Sequence, residues 1–120
     1  MTAVSAIQAR RLIAGLLLGL ATSAHTAAHG AEKTDQLNAK GKAILQDKCA
    51  RCHAIEATGD SPLAQAPAMR TIYRRFNEKE LRAELSEGMV SKHKEMPQIQ
   101  FSDEDVYAIM TYLYTLAVKK

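Results

Sequence analysis

Two thiols and an imidazole stand within five residues in Cys49-Ala50-Arg51-Cys52-His53, and these are the only cysteines of the chain. Cysteines two residues apart can each form a thioether with a vinyl group on one porphyrin edge, and the next residue's imidazole then falls under the iron. The pentapeptide therefore predicts covalent attachment of one haem, with Cys49 and Cys52 as tethers and His53 as the proximal ligand. A bare C-x-x-C also suits a redox dithiol or half of a zinc site. A dithiol belongs in a βαβ setting and zinc needs a second ligand pair, and the sequence offers neither. An exported cysteine pair could form a disulfide before haem arrives, but His53 argues against that as the end state.

The opposite face of such an iron needs a ligand of its own. Met96-Pro97 offers a thioether, a soft donor that raises the reduction potential when paired with histidine. Pro97 keeps Met96 out of the helical region, so its side chain can project from an extended strap. His93 is the competing ligand, and an imidazole there would lower the potential. Met69, Met89 and Met110 read as apolar packing. His25 and His29 fall in or near a segment that is removed.

The elements that must position these groups are helical. Thr34 or Asp35 can cap a helix over Gln36 to Lys48, with Leu37, Gly41, Ile44 and Leu45 on one side, leading straight into the cysteines. Gly41 costs about 1 kcal/mol against Ala inside a helix, and a close contact with another element would be its motive. Gly59, Pro62 and Pro67 break the pattern from Ala54 to Met69, which reads as a loop. A ligating histidine usually donates its second ring nitrogen to a fixed partner, and a carbonyl at or near Pro62 or Pro67 would serve equally. Arg70, Arg74 and Arg75 suit either a solvated face or a clamp for haem propionates. Asn77 with Glu80 opens a helix running through Leu81 and Leu85 to Gly88. Ser102 with Asp105 opens the last one, whose stripe is Val106, Ile109, Met110, Leu113 and Ala117.

Of the 120 residues, the first thirty read as a leader and not as part of the fold. Arg10 and Arg11 form a positive start, Leu12 to Leu20 an apolar run, and Ala21 to Ala31 a small-residue cleavage region. The predicted signal peptide covers residues 1–28, with cleavage between about 24 and 31; the domain covers 32–120. The apolar run is far shorter than the ~20 residues a bilayer needs, so no stable membrane insertion is expected. Without the leader, 14 basic residues face 13 acidic ones, and no block of like charge marks a nucleic-acid surface. A domain of roughly 90 residues buries a modest core, and this one has no Trp. Haem would fill its middle, and the chain without haem should be largely unfolded.

The order helix, Cys-x-x-Cys-His, Pro loop, helix, Met-Pro strap and terminal helix resembles the class I c-type cytochromes, across essentially the whole mature chain. The resemblance implies an all-α cytochrome c fold: three to four short helices around one covalent haem c, with the N- and C-terminal helices crossing. It places Gly41 of the first helix against Tyr112 of the last. It makes Pro67-Ala68-Met69 the counterpart of the family's Pro-x-Leu, which assigns the carbonyl partner of His53 to Pro67. It also makes His93-Lys94-Glu95-Met96-Pro97 the ligand strap. This chain departs from better-studied members in lacking both a Trp for a propionate and a lysine ring at the haem edge.

The function implied is one-electron transfer in a bacterial periplasm by a monomer with His53 and Met96 as axial ligands, docking transiently on redox proteins and transforming no substrate. Two other classes remain: a gas-binding or sensing haem domain with a labile sixth ligand, and an electron-entry subunit of a dehydrogenase or oxidase complex. Met96-Pro97 argues against the first. The second would show a large exposed apolar patch, and no excess of apolar residues stands outside the expected stripes.

Overall fold

A computed structural model describes the backbone of residues 25–88 and 95–118, and the side chains of these from Gly30 on. The helices in chain order are α1 (His25–Lys48), α2 (Met69–Arg75), α3 (Glu78–Glu87) and α4 (Asp103–Val118). No strand occurs among the described residues, so the architecture is all-α, as the resemblance implies. The chain divides into compact units between Glu32 and Lys33, and the unit from Lys33 on carries the site. The expected leader lies outside the described residues except for its end, where α1 begins. Met89 and His93 lie outside them as well.

The first helix starts earlier than its cap signals predict. Thr34 and Asp35 sit inside α1, because Ala27, Ala28, Ala31 and Glu32 ahead of them are themselves good helix formers. A capping residue ends nothing when the residues before it favour the helix. The third helix keeps its expected start: the Asn77 side chain accepts from Glu80 N at 2.9 Å. Its end is Gly88 at φ 88°, a backbone conformation that costs glycine least.

One helix was not expected at all. The short α2 has only Met69 and Ile72 buried, and seven residues are too few for a periodic signal to stand out. It begins directly after Pro67-Ala68, with Ala68 extended at ψ 145° and making no side-chain cap.

The core is assembled around α4, which packs on α2 and α3. Val106, Ala108, Ile109, Met110, Tyr112, Leu113 and Leu116 are buried, a wider arc than the expected stripe. Ala117 is only half-buried and Leu116 takes its place, since neighbours on several sides cover more of a helix than one face. Leu45, Leu81, Ile109 and Leu113 are sealed from solvent.

The terminal helices cross at Gly41. A β-carbon there would overlap the carbonyl of Ala108 and come within 3.0 Å of Tyr112 Cβ. The expected aromatic is present, but the closest neighbour is the Ala108 backbone. Lys40 flanks the crossing with ion pairs to Glu104 at 2.6 Å and Asp105 at 2.9 Å. Ser102 caps α4, accepting from Asp105 N at 3.2 Å and donating to Asp105 Oδ2 at 2.9 Å.

Candidate haem site

The cysteine motif winds off the C-terminus of α1. Cys49 N and Ala50 N both donate to Leu45 O at 2.9 Å, and His53 N donates to Cys49 O at 2.9 Å. These bonds coil the pentapeptide into a tight turn, which brings Cys49, Cys52 and His53 together in the lining of one cavity. Burial, with a smaller contribution from Cys52, pushes the Cys49 thiol up to about 11. Redox dithiols work through a lowered thiol, so the shift runs opposite to what that reading needs.

His53 Nδ1 lies 2.7 Å from Pro67 O. A carbonyl can only accept, so Nδ1 carries the proton and Nε2 keeps its lone pair for a metal. Where spacing alone left Pro62 and Pro67 equal, the hydrogen bond runs to Pro67.

The loop between them is tied on several sides. Met69 N donates to Ala54 O at 2.9 Å and Leu63 N to Cys52 O at 3.2 Å, while Ala54 N donates to Ser61 Oγ at 2.9 Å. Arg70 reaches back to Glu56 O at 3.2 Å and Gly59 O at 2.7 Å. Its guanidinium braces the loop and does not line the cavity, nor do Arg74 and Arg75, which are exposed. Of the two roles considered for these three, the solvated face describes Arg74 and Arg75, while Arg70 is held by the loop carbonyls. Among the described residues Lys48 and Arg51 are the cations in the lining, Arg51 from within the cysteine motif.

The opposite wall comes from the strap. Phe101 N donates to Leu85 O at 3.1 Å and Gln100 Nε2 to Glu87 O at 3.1 Å, which docks the strap on α3 and carries Met96, Ile99 and Phe101 into the lining. Met69, Ile72 and Leu85 supply apolar wall from α2 and α3.

The cavity has a volume of about 350 Å³. It presents two thiols, an imidazole and the thioethers of Met69 and Met96 within mostly apolar walls, and this donor set suits a covalently tethered haem. Among the described residues no group of three or more His, Cys, Asp or Glu side chains could hold a metal ion, so the zinc reading finds no further ligands.

The cytochrome c family model matches residues 38–117, and the chain belongs to the cytochrome c family. No curated protein and no solved structure matched the chain. The family's cofactor is covalent haem c, and Cys49 and Cys52 have the attachment spacing. Bound haem supplies a one-electron iron couple, so the domain implies haem-based electron transfer; family members are generally carriers and not enzymes. Among the described residues no helix is long and apolar enough to cross a membrane.

Proposed function

We propose that this protein is a periplasmic monohaem electron carrier in which His53 and Met96 are the axial ligands of haem tethered to Cys49 and Cys52. The signal peptide at 1–28 exports it, and residues 32–120 form the carrier domain. It works as a monomer that docks transiently on redox proteins, binds no nucleic acid and inserts in no membrane. One observation carries the reading. His53 has its Nδ1 committed to Pro67 O at 2.7 Å, its other nitrogen is free to ligate, and Met96 lines the same cavity.

Two different protein ligands change little with oxidation state, which suits electron transfer, and they leave no open position for external ligands. The test compares Met96→Ala with His93→Ala in the holoprotein. Met96→Ala should abolish the weak absorption band of a ferric methionine bond, lower the reduction potential and admit carbon monoxide. His93→Ala should leave all three near native. The reverse pattern would assign the ligand to His93, and rapid carbon monoxide binding by the native protein would replace the carrier by a gas-binding domain.

A further inference from the structure

None of the α4 residues lines the cavity, yet one of them reaches the backbone beside the proximal histidine. The Tyr112 hydroxyl donates to Ile55 O at 3.0 Å, two residues beyond His53, and lies 3.3 Å from Glu56 Oε2. Lys42 of α1 holds the other oxygen of that carboxylate at 2.7 Å. We propose that the Tyr112 hydroxyl is a positioning group for His53, fixing the hydrogen bond from His53 Nδ1 to Pro67 O and so the basicity of the imidazole. The proposal rests on His53 being the proximal ligand.

The route is short and made of backbone. Residues 53–56 and 67–69 are two sides of one loop. They are joined by His53 Nδ1 to Pro67 O at 2.7 Å and by Met69 N to Ala54 O at 2.9 Å, so a displacement of one side alters both bonds. Ile55 is buried, and Tyr112 is the donor its carbonyl is given among the described residues. A buried carbonyl that loses its donor is unfavourable enough to move the chain towards another. Such a shift at Ile55 acts on the histidine two residues away.

Its direction at the iron follows from the chemistry of the ring. A firm bond from Nδ1 raises the basicity of a ligating imidazole, and a more basic ligand favours the oxidised metal. Loosening that bond therefore raises the reduction potential.

The experiment uses the holoprotein with Tyr112→Phe, which keeps the β-carbon beside Gly41 and the ring, and removes only the hydroxyl. Native oxidised protein should first show paramagnetically shifted His53 ring resonances. Their absence would remove the ligand assignment itself and leave the hydroxyl untied to the iron. With them present, Tyr112→Phe should speed exchange of the His53 Nδ1 proton several-fold and raise the potential, while Tyr107→Phe on the exposed side of α4 changes neither. A Tyr112→Phe protein that melts lower but keeps the native exchange rate and potential would reduce the hydroxyl to a structural role and overturn the proposal. Site-specific 3-fluorotyrosine at position 112 keeps nearly the native shape and strengthens the donor. It should slow the exchange and lower the potential, and no shift in either would overturn the proposal even if Tyr112→Phe failed to fold.

Discussion

Gly41 of α1 lies directly against the backbone carbonyl of Ala108 in α4, so close that a β-carbon would overlap its oxygen. A carbonyl inside a helix cannot swing aside as a side chain can, and the crossing is therefore limited to glycine. The residue that α1 tolerates at a cost of about 1 kcal/mol in propensity is the one that lets α1 and α4 meet.

Gly41→Val should destabilise the holoprotein by at least the ~1–3 kcal/mol of ordinary overpacking, because the whole helix must retreat. The thermal midpoint should fall while the iron absorption bands stay native, since Gly41 does not line the haem cavity. An unchanged midpoint would mean that α1 and α4 do not cross here.

Cys49→Ala or Cys52→Ala should yield little stable holoprotein when expressed with export and haem-attachment machinery. Each removes a tether from a cavity whose walls include the otherwise buried Met69, Ile72 and Leu85. The measurement is the yield of haem-containing protein after export. A double variant that folds normally without haem would contradict the role given to the cofactor in the core.

His53→Ala should remove the nitrogen proposed as the proximal ligand together with the bond to Pro67. Its effect on the iron spectrum should exceed that of either cysteine change, and a native ligation spectrum would exclude His53 as the ligand.

The Lys40 clamp on α4 predicts an acid limit to stability. Hydrogen bonds from Lys40 and then Ser102 hold the Asp105 carboxyl below its ordinary 3.8. A carboxyl depressed by folding contributes stability that is full above its unfolded value and lost as pH falls through the folded one. The native thermal midpoint should therefore drop below about pH 3.8 more steeply than that of Asp105→Asn. Both groups are partly exposed, so the difference should be small and should shrink in salt. Parallel curves for the two proteins would show that the pair adds nothing.

Asn77→Ala should cost about 1 kcal/mol, the usual value of an N-cap, because Glu80 N then loses its acceptor. Thermal or denaturant unfolding of the holoprotein reads it. A variant as stable as native would show the cap replaced by water.

Local signals were legible wherever the chemistry is contained in a few adjacent residues. Cys49, Cys52 and His53 declare their cofactor through spacing, the caps at Asn77 and Ser102 through residues three apart, and the α4 core through its period. The start of α1 was misread because Thr34 and Asp35 resemble caps, while helix formers upstream let α1 run through them. The seven-residue α2 was missed because it is held by Met69 and Ile72 in the core and not by its own pattern. Only the tertiary structure decided that the Gly41 contact is with the Ala108 backbone, that Arg70 braces a loop, and that Tyr112 holds the carbonyl of Ile55, two residues beyond His53. Each of those depends on residues 11 to 67 positions apart meeting at atomic distance, which periodicity along a single element cannot encode.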